Sequence, residues 1–436
     1  MSSTKKNQKN ILQKLSIEQL NPMQEEAKLA IHSNPEVVLI SPTGTGKTLA
    51  FLLPIIQNLN ADCAEVQALI LVPSRELAIQ IEQVTREMGA GYKANAVYGG
   101  RTVSKDKMDL RHRPAILIGT PGRIADHLRK ETFTTDFIQT LVLDEFDKSL
   151  EVGFEEEMSE ILSALPVLAK KVLTSATHEI EIPEFVGLED PITINYTDSG
   201  ESELTVKRVL SPSKDKLDTL VSLLRHIGDQ QGVIFCNFKD SIQRVSDFLN
   251  HHGILHGCFY GGLEQYDREK ALIKFRNGTH RLLLATDLAA RGIDVPEMDF
   301  IIHYHLTLKE TEFTHRNGRT ARMNSGGTAY VLHWEQEVLP DFIQHTAVEK
   351  VLDAPIPAAS PWQTLFISGG RKDKISKGDI AGLFFKQGKL GKDHLGNIEL
   401  KQDCAFVAVE TSKVDQLIAL TDNTRLKKKK VRVRIV

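Results

Sequence analysis

The stretch SPTGTGKT at residues 41–48 follows the apolar, β-branched run VVLI (37–40) and leads into LAFLLPIIQNL (49–59), which suits a helix. A glycine-rich turn between a buried strand and a helix N-terminus turns backbone N–H groups toward an anion. In this reading Gly44 and Gly46 let the backbone wrap a phosphate together with Ser41, Pro42, Thr43 and Thr45, Lys47 meets the outer phosphates, and Thr48 offers its hydroxyl to a magnesium ion. The usual pattern begins with Gly, where this chain has Ser41.

Working outward, further apolar runs recur at ALILV (68–72), AILIG (115–119), TLVLD (140–144) and KVLTS (171–175), separated by longer amphipathic stretches. Such alternation predicts a parallel sheet with crossover helices. The acidic, turn-rich segment 197–203 reads as a linker. A second alternation follows with GVIFC (232–236), RLLLAT (281–286), DFIIHY (299–304) and TAYVL (328–332). After a proline-rich joint at 353–361, the last stretch reads strand TLFIS, helix SKGDIAGLFFKQ, strands GNIEL and CAFVAVE, helix SKVDQLIALTD and strand KKVRVRIV. The order βαββαβ is that of a ferredoxin-like or RNA-recognition module. The expected domains are therefore 1–196, 204–352 and 362–436.

Composition fits this division. The chain has 436 residues, 41% hydrophobic and 25% charged, so it is neither disordered nor fibrous, and its length predicts two or three domains. No apolar window reaches membrane-spanning length, and a cytoplasmic protein is expected. Cys63, Cys236, Cys258 and Cys404 are far apart and form no CxxC pair. Reduced thiols are expected, with no disulfide-linked partner. His251, His252 and His256 cluster on a predicted helix end and the loop after it, without ligand partners at metal-site spacing. Net charge is −3, yet residues 361–436 carry 16 Lys and Arg against 8 Asp and Glu. A basic appendage on an acidic body points to nucleic acid.

Two further elements complete a hydrolytic site. LVLDEFD (141–147) ends a neighbouring strand with Asp144, which would hold the metal through water, and Glu145, which would orient or deprotonate the attacking water. HRNGRTAR (315–322) lies in the second domain and offers Arg319 and Arg322 as arginine fingers for the charge that develops on the transferred phosphoryl group.

With these residues in view, the chain resembles DEAD-box ATP-dependent RNA helicases. The ordered motifs that carry the resemblance are LNPMQ ending at Gln24, PSRELA (73–78), GG (99–100), TPGR (120–123), SAT (175–177), IFCN (234–237), QYDR (265–268) and ATDLAARGID (285–294). The resemblance implies two tandem RecA-like domains with ATP and Mg²⁺ as cofactors. It implies that Gln24 reads the adenine edge, that Asp287, Gly292 and Asp294 bring the second domain to the nucleotide, and that Ser175, Thr177 and His315 couple nucleotide to RNA. Pro73, Arg75, Gly100, Thr120, Gly122, Arg123, Gln265, Arg268, Thr286 and Arg291 look like RNA-backbone contacts. Where the family often carries an aromatic residue that packs on adenine, this chain has Ile17, and Phe146 replaces the Ala of the name-giving tetrapeptide.

Residues 362–436 resemble the RNA-binding domain appended to DbpA-type DEAD-box helicases, which implies a tether to structured ribosomal RNA and a role in large-subunit assembly. Phe366 and Phe406 are the aromatics on its central strands, and the basic loop with Arg371, Lys372, Lys374 and Lys377 is an alternative contact, together with the tail LKKKKVRVR. The expectation is a monomeric RNA-stimulated ATPase whose two lobes close on ATP and RNA. An ATP-gated RNA clamp and a DNA-directed motor are the rival readings.

Overall fold

The computed structural model describes residues 7–100, 103–176, 181–197, 204–287, 298–320 and 326–436. The predicted linker residues 198–203 lie outside them, as do the candidate site residues Thr177, Arg291, Gly292, Asp294 and Arg322. By internal contacts the chain forms two compact units, one built on residues 1–202 and the other on the remainder apart from the short segment 291–294. Among the described residues no helix is long and apolar enough to cross a membrane.

The first unit is a seven-stranded parallel sheet. Its strands are β1 (Glu36–Ile40), β2 (Ala68–Leu71), β3 (Ala94–Val97), β4 (Ile116–Gly119), β5 (Thr140–Leu143), β6 (Lys170–Ser175) and β7 (Ile192–Asn195), in the order β3-β4-β2-β5-β6-β1-β7. The apolar runs form strands because both faces are covered: Val37, Leu39, Ile70 and Val142 enter one core, whereas Val38, Ile40, Leu69 and Leu143 enter the other. Strands β3 and β7 escaped the sequence reading. ANAV is short and weakly apolar, and ITIN is an edge strand with only Ile194 buried, so neither shows the continuous apolar signal of a central strand.

The second unit contains another seven-stranded parallel sheet. Its strands are β8 (Leu204–Ser211), β9 (Gly232–Phe235), β10 (His256–Phe259), β11 (Leu282–Ala285), β12 (Phe300–His303), β13 (Gly327–Trp334) and β14 (Ala347–Val348), in the order β10-β11-β9-β12-β13-β8-β14. One expectation is corrected here. His256 opens strand β10 rather than lying in a loop, and its ring bonds the Ser246 hydroxyl at 2.8 Å and the Ile254 carbonyl at 2.8 Å, so it packs a helix onto the sheet.

The same unit carries a four-stranded antiparallel sheet of β15 (Trp362–Ile367), β16 (Leu395–Leu400), β17 (Ala405–Glu410) and β20 (Val433–Ile435), ordered β16-β17-β15-β20. Helices Lys377–Lys386 and Val414–Thr421 cover one face around Leu365, Ile367, Val407 and Val409. The terminal KKVRVRIV is not one strand. It splits into β19 (Lys429–Val431), which forms a hairpin with β18 (Thr424–Leu426), and β20: between them Arg432 accepts the Ser368 N–H on its carbonyl but gives its own N–H to the Ser368 hydroxyl and its guanidinium to Asp422.

Candidate active site and RNA-contact surface

In the first unit, the sheet order β5-β6-β1 decides which motifs meet. The glycine-rich turn leaves β1, the acidic pair leaves β5, and β6 lies between them, so all three sets of residues gather at the carboxyl ends of adjacent strands. The Ser41 N–H bonds the Ser175 carbonyl at 3.0 Å, continuing the β1–β6 register of Ile40 with Ser175.

The turn is already shaped. Gly44 and Gly46 have φ of 90° and 87°, a region open to glycine and costly to side chains. The Ser41 hydroxyl bonds Thr45 Oγ1 at 2.8 Å, and Thr45 Oγ1 donates to the Pro42 carbonyl at 2.9 Å. Lys47 is buried, and its ammonium is held by the carbonyls of Ser41 and Pro42. Pro42 and Gly44 are exposed and Thr43 and Thr48 half-buried at the mouth of the turn.

Gln24 does not stand free above this loop. It is the third residue of helix Pro22–Ser33, where it completes a capping box with Asn21, and its Nε2 donates to the Gly46 carbonyl at 3.2 Å. Asn21 Nδ2 donates to the Thr45 carbonyl at 3.0 Å, so both residues grip the phosphate loop. A Cβ at position 46 would lie 2.2 Å from Gln24 Nε2. Ile17 is partly buried against the core of this unit.

Asp144 is buried, and its carboxyl pKa is pushed up to about 6, first by burial and then by the charge of Glu145. The Thr174 hydroxyl, the Glu145 N–H and the charge of Lys47 act in the opposite direction, but burial prevails. Thr174 sits one residue before the SAT motif and was missed in the sequence, because only the pairing of β5 with β6 brings it to Asp144. Glu145 adopts φ 48°, ψ 52°, a left-handed conformation that costs a residue with a side chain of order 1–3 kcal/mol. Phe146, in the place of Ala, is fully buried in the second core of the sheet.

Candidate RNA contacts of this unit lie at the same sheet end, after β2, β3 and β4. Pro73 is buried, and Arg75 starts helix Arg75–Met88 with its guanidinium over the glycine pair: a Cβ on Gly100 would stand 2.5 Å from Arg75 Nη1. Thr120 precedes helix Pro121–Arg129, and Gly122 lies in its first turn, where a Cβ would have room. Arg123 is held by Asp106 through Nη2 at 2.7 Å and Nε at 2.8 Å, and His127 reaches the same carboxylate at 3.2 Å. Asp106 is a second residue that sequence reading missed, since nothing in its local pattern marks it.

In the second unit, Arg316 organises the site. It is 2% exposed and grips Asp287 with two bonds of 2.6 Å, Asn237 at 2.8 Å and the His305 carbonyl at 2.9 Å, with Phe235 beneath its guanidinium. Burial and the neighbouring Arg316 push His303 down to about 3, so it is neutral and bonds Asn317 at 3.0 Å. Of the three arginines spaced along 316–322, the first is thus a structural clamp; Arg319 is 6% exposed and Arg322 lies outside the described residues. His315 belongs to the same helix, Glu310–Asn317. Gln265 opens helix Gln265–Arg276 with a buried Oε1 that has no hydrogen-bond partner among the described residues, and Arg268 stacks over Phe259 at 4.8 Å. Thr286 follows β11, its N–H on the Phe259 carbonyl at 3.3 Å.

The basic segments of the third module converge. Lys429 pairs with Asp373 at 2.7 Å and Lys427 with Asp379 at 2.7 Å, which ties the β18–β19 hairpin to the turn that carries Arg371, Lys372 and Lys374 and to the helix that Lys377 opens. Lys372, Lys374, Lys377, Lys427, Lys428 and Lys430 are exposed along this edge, and Arg371 is half-buried.

Comparison with known proteins agrees with this assembly. Residues 21–185 match the DEAD/DEAH box helicase family, 215–324 the helicase conserved C-terminal domain and 364–435 the DbpA RNA binding domain. The chain is 32% identical to the ATP-dependent RNA helicase DbpA of Escherichia coli, covering 96% of this chain and 94% of that protein. It is 30% identical to the protein of the same name from Bacillus subtilis, covering 91% of each. Among solved structures it is similar to Saccharomyces cerevisiae Dbp5 bound to RNA and ADP BeF3, with a TM-score of 0.66, 25% identity, and coverage of 75% of this chain and 88% of that one. Mss116 bound to ssRNA and UDP-BeF gives a TM-score of 0.66 at 25% identity over 75% of this chain and 72% of that one. The phosphate loop, the paired carboxylates and the three matched domains together make this chain a member of the DEAD-box ATP-dependent RNA helicases of the DbpA type, an ATP-hydrolysing enzyme.

Proposed function

We propose that the enzyme couples ATP hydrolysis to local separation of short RNA duplexes and is tethered to structured ribosomal RNA during large-subunit assembly in the cytoplasm. The observation that supports the catalytic part most directly is the meeting of Lys47 with the Asp144–Glu145 pair at the ends of three adjacent strands.

The phosphates of ATP are received by the N–H groups of the turn 43–48, and Lys47 exchanges its two carbonyl partners for phosphate oxygens. Thr48 and Asp144 fit a Mg²⁺ ion: burial beside Glu145 raises the cost of the Asp144 charge and holds its pKa up to about 6, and a bound dication would offset that cost and favour the carboxylate. When bound, the ion neutralises charge on the phosphate oxygens. Glu145 orients and deprotonates the attacking water from a backbone held in the left-handed region. Arg319 and Arg322 complete the site on lobe closure. Asp287, fixed by Arg316, acts with Gly292 and Asp294 to bring the second lobe to the nucleotide, while Ser175, Thr177 and His315 relay closure to RNA. Both ligands must favour the closed form for this coupling to work.

RNA-backbone recognition fits Pro73, Arg75, Gly100, Thr120, Gly122 and Arg123 in the first lobe and Gln265, Arg268, Thr286 and Arg291 in the second. The relatives named for RNA helicase activity and the RNA-bound neighbours favour the same reading. The exposed edge with Lys372, Lys374, Lys377 and Lys428 supports the tether, to which Arg371 also belongs.

The test is strand displacement from a short RNA duplex, with and without ATP, alongside RNA-stimulated ATP turnover. Release of the displaced strand only with ATP is expected; ATP-dependent RNA retention without release would replace unwinding by clamping. Combined Lys372→Glu, Lys374→Glu and Lys428→Glu substitutions should abolish preference for structured ribosomal RNA over unstructured RNA. Unchanged preference would refute the tether.

A further inference from the structure

The third module has a second sheet face, opposite its helices. In a βαββαβ module that face commonly presents aromatic residues to splayed bases. Here it is occupied by the chain's own second parallel-sheet domain. Helix Gln265–Arg276 ends against it: Arg276 Nη2 meets the two Glu399 oxygens at 3.0 and 2.8 Å, and Lys401 holds the same carboxylate at 2.7 Å. Just beyond the helix, Asn277 Nδ2 donates to Thr364 Oγ1 at 3.2 Å, Thr279 Oγ1 bonds the same hydroxyl at 2.7 Å, and Asn397 Nδ2 donates to Asn277 Oδ1 at 3.3 Å. Gly278, whose φ of 72° favours glycine, lies beside Trp362, where a Cβ would make ordinary contact with the indole at 3.6 Å. Thr364 is fully buried, and Asn277 and Thr279 are 5% and 6% exposed.

Besides Trp362, the two phenylalanines of the central strands are committed as well. Arg434 lies over the Phe366 ring at 5.0 Å, and Phe366 packs edge-on against Phe406 at 5.7 Å, with Phe406 only 5% exposed. The joint is polar, and a polar joint holds one orientation because sliding would strand buried donors and acceptors, whereas an apolar joint could slip.

We propose that this sheet face is an intramolecular docking surface for the carboxyl end of helix Gln265–Arg276, not a base-stacking platform, and that it fixes the module in one orientation on the second lobe. The helix has 12 residues, and at ~1.5 Å per residue it spans roughly 18 Å. Gln265 and Arg268 stand at its other end. The inference deepens the proposed RNA reading: a helix with RNA contacts at one end and the tether at the other makes the tether and the second-lobe RNA track one rigid body.

The experiment uses the full chain, with hydrogen exchange at 277–280 and proteolysis within 353–361 as docking readouts, and a fluorescein-labelled RNA hairpin with a single-stranded extension as the binding probe. Arg276→Glu, which opposes Glu399, should raise exchange at 277–280 at least about tenfold and open 353–361 to protease. Adding Glu399→Lys should restore both, which separates undocking from misfolding. Phe366→Leu and Phe406→Leu should leave hairpin affinity within about twofold, whereas loss of a base stack at either ring costs roughly 5- to 150-fold. A loss of that size, unchanged exchange in Arg276→Glu, or hairpin binding that raises exchange at 277–280 would each overturn the docking assignment. Exchange in the RNA-free protein does not involve Gln265 or Arg268 contacts, so failure of the RNA reading alone leaves the docking result standing.

Discussion

Replacing Asp144 by Asn should make the nucleotide-free protein more stable while stopping its chemistry. The carboxyl is buried, and its pKa rises from 3.8 to about 6 because burial and Glu145 outweigh the Thr174 hydroxyl, the Glu145 N–H and Lys47. A raised carboxyl pKa means that the folded state binds a proton more tightly than the unfolded state. The resulting penalty is absent below pH ~4, grows as pH climbs toward 6 and is constant above that. Two pKa units correspond to about 3 kcal/mol. Asn keeps an oxygen for Thr174 and the Glu145 N–H and removes the charge, so most of that sum returns as stability at pH 7.5. For a unit of about 200 residues this raises the melting temperature by roughly 6–12 °C. The assay is thermal unfolding of both proteins across pH 4–8 in a chelator, followed by the first-unit transition. The wild-type–variant difference should vanish near pH 4 and plateau above pH 6.5. A destabilised variant at pH 7.5, or a difference that ignores pH, would refute the electrostatic account of this site.

Three other outcomes are expected. Lys47→Ala should abolish nucleotide binding and Glu145→Gln should retain it while stopping turnover; RNA-stimulated hydrolysis surviving in either variant contradicts the assigned roles. Gly100→Ala forces a Cβ to within 2.5 Å of Arg75 at φ 90°, so RNA affinity should fall about tenfold with nucleotide affinity unchanged, as read by fluorescence anisotropy. Arg316→Lys loses the paired grip on Asp287 and the bond to Asn237, and should destabilise the second unit by about 3 kcal/mol in urea unfolding.

The parts of the fold and site that could be read in advance are those written locally. The central strands are continuous apolar runs, and the phosphate turn needs glycine at two positive-φ positions, so both appear in the string of residues itself. Edge strands such as β7, half wetted, leave no such trace. Arg316 shows the limit on the site: its spacing matched two neighbouring candidate fingers, and only the fold around β9 and β12 closes it onto Asp287 and Asn237. Thr174 and Asp106 became visible for the same reason, since each acts on a residue distant in sequence. The terminal KKVRVRIV alternates well enough to read as one strand, yet side-chain and backbone bonds at Arg432 break it in two. The occupied sheet face could not be read at all: Arg276 and Glu399 are 123 positions apart.

The left-handed backbone at Glu145 sets a trap for protein engineers. Any residue that tolerates that conformation more easily, Asn or Gly above all, relaxes the chain at the moment it removes the group that we propose handles water. Given the role proposed for Glu145, a library of this enzyme sorted for heat tolerance alone would enrich inactive proteins at position 145, and a sorting scheme that keeps the motor must demand turnover in every round.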